Sequence, residues 1–402
     1  MSSVSTSRRR GFVVLSVLGA GAFMGAWNFT FLAPVLPEVA DDTGVSVTAA
    51  GQLVTVSALV TVVFLVLLGP LADRYGKRPM LMMGLAAMGL AALGSSLTSS
   101  YGALIALRVL SGIGDALVLP SAASAVADYF DGKDREVALN VLLVPLGAAV
   151  VLGLPVVVLV SEVASWHGAF LVFAGLTLVV VMGVGWLLPR PAVASRARRS
   201  LREHYRESYG EVLGTRLALA VLGAAVLGAT VWNGMVTYAG AFFQDELGAR
   251  AAGLSALFAA LGASYVAGGA VGVALARRLR PRVIALWSAV AAVALLLPVV
   301  AATDLAPVAI TLALGFAGSR APGIAALNNM LLDLAPRAGA TAVSTYGVVA
   351  AMGALLGAAS GGLAIAVEGY LGMAALFTML AVGAALLLTR PDGGIEAAAS
   401  QV

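Results

Sequence analysis

Long apolar runs without charge constrain this chain more than any other feature. A helix needs about 20 residues to cross the hydrocarbon of a bilayer. Runs of that length recur along the whole sequence. They are continuous rather than alternating, which excludes a transmembrane β-barrel. Twelve spans are expected, the first six near 11–37, 47–70, 79–99, 101–128, 137–161 and 168–189. The last six are expected near 216–243, 252–276, 281–302, 305–333, 339–366 and 369–389. Only 11% of the 402 residues are charged, and the mean hydropathy is +0.99. A soluble domain carries about 25% charged residues, so this chain cannot clothe a surface facing water.

The charges that remain set an orientation. Of the 24 Lys and Arg residues, Arg108 and Arg320 fall within spans and Arg250 follows the seventh. The other 21 lie on one side, in the N-terminal arm, the tail and the loops around Lys77, Arg135, Arg202, Arg280 and Arg337. Acids such as Glu38, Asp41, Asp42, Glu162, Asp245, Glu246, Asp304 and Glu368 fill the opposite loops. The positive-inside rule then places both termini in the cytoplasm, as an even number of spans requires. Arg8, Arg9 and Arg10 precede an apolar stretch with no small-residue cleavage site, so no signal peptide is expected. The net charge of +4 is spread between spans and is not the basic face of a nucleic-acid binder. With no cysteine and only His167 and His204, neither thiol chemistry nor a metal site is indicated.

The spans divide into two related halves. Residues 1–189 form the first, 190–215 a charged cytoplasmic linker, and 216–402 the second with a short cytoplasmic tail. Trp27-Asn28 matches Trp232-Asn233, and Gly69 with its basic loop matches Gly272 with Arg277, Arg278 and Arg280. Trp166-His167-Gly168-Ala169-Phe170 resembles Tyr370-Leu371-Gly372-Met373-Ala374. All three recur at an offset of about 204 residues. Paired membrane halves of this kind place a substrate site between them, near the midplane.

The most specific local pattern is Gly69-Pro70-Leu71-Ala72-Asp73-Arg74-Tyr75-Gly76-Lys77-Arg78, where the second span meets the basic side. Gly69 admits a neighbouring helix and Gly76 a tight turn, while Asp73 suits a helix N-terminus. This run resembles the loop signature of the major facilitator superfamily, specifically its bacterial twelve-helix drug/proton antiporter branch. Lys77 departs from the Arg usual there. The resemblance implies an all-α membrane protein of 12 transmembrane helices in two pseudo-symmetric six-helix halves. It also implies a gate formed by Gly69, Asp73, Arg74, Gly76, Lys77 and Arg78, with Asp128 as the acid partner at the end of the fourth span.

Arg108-Val109-Leu110-Ser111-Gly112-Ile113-Gly114-Asp115 resembles a second family signature, in which the intramembrane Arg takes part in proton coupling. A charge inside a span costs at least about 2.5 kcal/mol and is a functional candidate by default. Asp115 and Arg320 lie 205 residues apart, in the fourth and tenth spans. That is near the repeat offset, so the places are similar, and the two are expected to approach across the cavity, to hold a charged substrate together, or to form a static structural pair. Asn28 stands where many drug antiporters of the family carry an acid, so either Asp115 or Glu38 replaces that proton site or coupling is lost. Trp27, Asn28, Asp115, Trp232, Asn233, Tyr238, Arg320 and Asn328 are the candidate substrate contacts, and the aromatic and amide mixture suits an amphipathic ligand.

The expected activity is export of a small amphipathic organic molecule by alternating access, with protons as the coupling ion in antiport. Uptake or facilitated diffusion of a polar or anionic metabolite is the alternative, as is lipid flipping. The fifth span, with Gly153-Leu154-Pro155 followed by valines, keeps only part of the antiporter pattern. A membrane-embedded enzyme or sensor is disfavoured, because no convergent catalytic groups and no soluble output domain are visible. The expected partners are the small-molecule substrate, protons and the lipid bilayer of a bacterial inner membrane. No cofactor, metal or obligate protein partner is expected.

Overall fold

The computed structural model describes residues 2–75, 77–130, 138, 142, 148–188, 214–334 and 339–389. Eleven α-helices run through the described residues: α1 (Ser2–Thr30), α2 (Leu36–Thr43), α3 (Val47–Tyr75), α4 (Lys77–Ser95), α5 (Tyr101–Tyr129) and α6 (Leu154–Leu187), then α7 (Arg216–Asp245), α8 (Ala251–Ala276), α9 (Pro281–Ala301), α10 (Ala306–Leu334) and α11 (Gly339–Thr389). All but α2 are long and apolar enough to cross a membrane. Apolar side chains are buried on one face and exposed on others, as at Leu90, Leu178, Val273 and Leu386. Water does not tolerate such faces at this density, whereas lipid does.

Two of the ten long helices are broken by non-helical residues. α6 breaks at Ala164 and Ser165, and α11 at Glu368 and Gly369. The breaks fall where the sequence separates its fifth from its sixth span and its eleventh from its twelfth. A short π-helical turn, Ala149–Gly153, precedes α6. Pro155 has no N–H to give the Val151 carbonyl, which favours such a turn here. Gly153 makes room for the Trp27 ring, because a Cβ there would lie 2.5 Å from its Cδ1.

By contact the chain divides into two units. One comprises Met1–Ala197, Asn233–Ala263 and Ala354–Val367. The other comprises Arg198–Trp232, Ser264–Gly353 and Glu368–Val402. Parts of α7, α8 and α11 therefore pack with the first half of the sequence, so the units do not follow the division at 190–215.

The repeat, by contrast, is written into the backbone. Gly44 and Gly248 both end a helix with positive φ, at 69° and 61°. Ser165 and Gly369 share the same break, at φ 58°, ψ 174° and φ 65°, ψ −161°. Their predecessors Ala164 and Glu368 agree to within a few degrees. Arg78 donates to the carbonyls of Val184 and Gly185 near the end of α6, and Arg282 donates to that of Leu388 near the end of α11. In each case the second residue stands 204 positions after the first, and so does the acceptor Leu388 after Val184. Guanidinium donors satisfy the carbonyls that a helix end leaves unbonded.

Candidate functional site

The charged residues of the fourth span occupy one face of α5. Positions 108, 111 and 115 are spaced i, i+3, i+7, which brings Arg108, Ser111 and Asp115 into line. α5 lies close to α3 because Gly112 has no side chain: a Cβ there would come 2.5 Å from the Ser57 carbonyl. Thr61 fixes the crossing by donating to the Gly112 carbonyl at 3.1 Å. Gly114 makes similar room for Met88 of α4. The glycines of this segment thus hold the α5 face in place.

Asn28 of α1 completes the cluster. Its Nδ2 donates to the Ser111 hydroxyl at 2.8 Å and to both Asp115 oxygens at 3.0 and 2.9 Å. An amide has two hydrogens, so one serves Ser111 and the other is shared by the carboxylate. Ser111 and Asn28 are buried and Asp115 is partly so. Asn28 thus uses the place of the missing first-span acid to hold an acid on the fourth span. Arg108 is also buried and interacts electrostatically with Asp115. Its Cζ lies 5.2 Å from the centroid of the Phe170 ring, and its Nη2 has no hydrogen-bond partner among the described residues.

Two adjoining cavities open beside this cluster. One, with room for about one water molecule, is lined by Asn28, Phe29, Leu32, Leu53, Val54, Ser57, Ala58 and Arg108. The other, of similar size, is lined by Phe29, Thr30, Ala33, Val54, Asn233, Val236, Thr237 and Ala354. Phe29 and Val54 belong to both. The polar wall of the first is Asn28, Ser57 and Arg108, with Asp115 behind Asn28. The polar wall of the second is Thr30, Asn233 and Thr237.

Of the other expected contacts, Trp27, Tyr238, Trp232 and Arg320 each have partners of their own among the described residues. Trp27 does not line these cavities: it is buried in an aromatic stack with Phe23, Phe31 and Phe173, at centroid distances of 5.6, 6.1 and 5.3 Å. Tyr238 is wholly buried and donates to the Ala358 carbonyl at 2.7 Å. In the second unit, Trp232 stacks on Tyr265 at 5.2 Å and meets Phe316 at 6.0 Å. Arg320 there donates to the Gly228 carbonyl at 3.0 Å and to the Ser288 hydroxyl at 3.4 Å. Asp115 and Arg320, expected together, thus each have partners within their own unit. Asn328 is partly buried and its Oδ1 has no hydrogen-bond partner among the described residues, while Asn329 is exposed. Glu38, the other candidate acid, sits on α2 and accepts from Ser161 at 3.4 Å.

At the basic end, Lys77 is buried and donates to the Ser124 carbonyl at 2.7 Å, one turn short of Asp128. The side chains of Asp73, Arg74 and Asp128, the surroundings of Gly69 and all of Gly76 lie outside the described residues. Ser111 is the residue that sequence reading missed. Its i+3 place on the face shared by Arg108 and Asp115 was the available signal.

A family model described as Major Facilitator Superfamily matches residues 18–358. The multidrug efflux pump LfrA of Mycolicibacterium smegmatis is 31% identical over 183 residues, 45% of this chain and 36% of that protein. The 4-hydroxybenzoate transporter PcaK of Pseudomonas aeruginosa is 27% identical over 191 residues, 47% of this chain and 42% of that protein. The chain spans less than half the length of these two relatives. Among solved structures, an inward-facing bacterial homologue of the human lysosomal transporter Spinster superposes with a TM-score of 0.72 at 17% identity, covering 94% of this chain and 93% of that one.

Proposed function

Because the chain belongs to the Major Facilitator Superfamily, a family of multi-pass membrane transporters, we propose that it exports a small amphipathic organic molecule by proton antiport. It would sit in a bacterial cytoplasmic membrane with both termini inside. The observation that carries this reading is the Asn28–Ser111–Asp115 cluster, which presents one carboxylate to the cavity through an amide, beside Arg108. Likeness to a multidrug efflux pump supports the export direction. A charged Asp115 draws a cationic amphiphile into the cavity, and a proton on Asp115 removes that attraction. Proton and substrate then exclude one another, as antiport requires.

One observation favours a second reading. The Nη2 of Arg108 is buried without a hydrogen-bond partner among the described residues, in a residue that lines the cavity. A carboxylate on the substrate would satisfy it. Asp115 competes for the same guanidinium, so a proton on Asp115 would strengthen anion binding and make the coupling symport. The likeness to a 4-hydroxybenzoate transporter supports this alternative.

The two readings predict opposite signs. Binding of a lipophilic phosphonium cation and of an aromatic carboxylate would be measured on purified protein between pH 5 and 8. Antiport export requires cation binding that weakens as pH falls, with the dependence lost in Asp115→Asn. Anion binding that strengthens as pH falls, and is lost in Arg108→Gln, would establish the second reading. Binding of either probe that ignores both pH and Asp115→Asn would remove Asp115 from the mechanism.

A further inference from the structure

The part of α7 that packs with the first half carries the largest fully buried side chain in the described chain, Tyr238. Its ring enters a slot between two glycines, Gly51 near the start of α3 and Gly362 in α11. At either glycine a methyl group would land on the Tyr238 hydroxyl. The hydroxyl itself donates to the Ala358 carbonyl at 2.7 Å, one turn before Gly362. One phenol therefore ties together α3, α7 and α11. The contacts on α3 and α7 lie at the helix ends remote from the basic loops at 74–78 and 277–282, and those on α11 lie shortly before its break at Glu368 and Gly369.

Neighbouring contacts make the same closure. Gly240, one turn's edge from Tyr238, faces the Ala33 carbonyl, and a Cβ there would lie 3.0 Å from the Pro34 Cα. Tyr101 of α5 donates to the Ala49 carbonyl at 2.6 Å, just before Gly51. Gly262 of α8 would place a Cβ 2.8 Å from the Val151 Cα. These are backbone-level approaches, with no room for water or ligand between the helices. The cavity lined by Val236 and Thr237 lies immediately beside this seam.

We infer that Tyr238 is the clasp that shuts this end of the transport pathway, and that it leaves the Gly51–Gly362 slot whenever this end opens. A tyrosine suits that task. Its ring fills the slot as an apolar plug, while its single hydroxyl adds a directional bond that can be exchanged for water on opening. The device is independent of which molecule or ion is carried, so it survives if the proposed coupling fails.

The geometry distinguishes the two glycines. At Gly51 a Cβ would also meet the Tyr238 Cζ and Cε1 at 2.8 and 2.9 Å, so removal of the hydroxyl does not relieve the clash. At Gly362 the hydroxyl is the main obstacle, because Cζ is 3.4 Å away and Thr48 Cγ2 is 3.2 Å away. Tyr238→Phe should therefore rescue Gly362→Ala and fail to rescue Gly51→Ala.

The full chain has no cysteine, so Val236→Cys places one unique thiol in the adjoining cavity. Its labelling rate by a membrane-impermeant maleimide, added on the face remote from the termini, reports opening at this end. Labelling should rise at least tenfold in Gly362→Ala and in Gly51→Ala. It should return towards the parent rate when Tyr238→Phe is added to Gly362→Ala only. Tyr238→Phe alone introduces no clash and should raise the rate about fivefold, the equivalent of one hydrogen bond. Its monodispersity in detergent separates opening from unfolding. Unchanged labelling in both glycine variants, or rescue of both or neither by Tyr238→Phe, overturns the clasp.

Discussion

Exchanging the acid and the amide of the α1–α5 pair tests whether the Asn28–Asp115 contact is the proton site. Asn and Asp have nearly the same shape, so Asn28→Asp with Asp115→Asn moves the carboxylate to α1 and leaves the packing unchanged. The structure holds the two side chains 2.9–3.0 Å apart. Asn28→Asp alone puts two carboxylates at that distance. If both were charged they would repel by about 5 kcal/mol at an effective dielectric of about 20. One must then keep a proton throughout the working range, and coupling should fail. Asp115→Asn alone leaves no acid in the cluster, and flux should no longer follow an imposed pH gradient. The double exchange restores one acid, one amide and the neighbouring Ser111, and gradient-driven flux should return to within about tenfold of the parent, the scale of one hydrogen bond altered in geometry. Proteoliposomes with an imposed pH gradient provide the assay. Gradient-driven flux that persists in Asp115→Asn would falsify the assignment, as would a folded double variant that stays uncoupled.

Two further predictions concern the repeat and the acid of α2. Ser165 occupies backbone space that strongly favours glycine, and its repeat partner is Gly369. Such a conformation costs about 1–3 kcal/mol in a residue with a Cβ, so Gly369→Ser should lower the thermal midpoint in detergent. Ser165→Gly should be neutral or stabilising, because it loses only a 3.4 Å contact to His167 Nδ1. A harmless Gly369→Ser would show that the turn does not need this conformation. Burial holds the Glu38 carboxyl above its ordinary range, and the Ser161 hydroxyl offsets part of that effect. The protonated form is therefore favoured by folding, and its contribution is lost as pH rises through the raised value. Glu38→Gln should flatten the fall in stability above the ordinary carboxylate range, measured as thermal midpoint against pH. A steeper fall in the variant would mean that the charged carboxylate is the stabilising form.

Much of the fold was legible because lipid leaves little choice. Spans, breaks and the offset of 204 follow from run length, loop charge and repeated glycines, and the structure places its left-handed turns at that same offset. Rotation of each helix about its axis was not legible, since every face of these helices is apolar. For that reason Trp27 and Tyr238 read as cavity residues from their aromatic chemistry, although one is stacked on Phe173 and the other is clamped between two glycines. The partner of Asn28 was equally hidden: nothing in the local sequence of α1 says that its amide turns towards position 115. The glycines that decided these placements are common in membrane helices. Each becomes informative only when the side chain facing it is known.

The two halves hold their intramembrane charges differently. Asp115 and Arg320 stand 205 positions apart, one more than the offset of 204 in the backbone repeat, so they are neighbours in register rather than repeat partners, and their surroundings differ. Arg320 sits in a seat made for it: a Cβ at Gly228 would lie 3.0 Å from its Nη2, and Gly323 leaves room for the Ser288 hydroxyl that it meets. A guanidinium does not titrate in the working range, and one bound to a backbone carbonyl gains nothing by moving. Asp115 is held instead by an amide that itself lines a cavity, so a change in its charge alters what that amide offers a ligand. A carboxylate can exchange a proton. Arg320 is thus held as a fixed charge, and Asp115 is the group that the proposed coupling requires to change state.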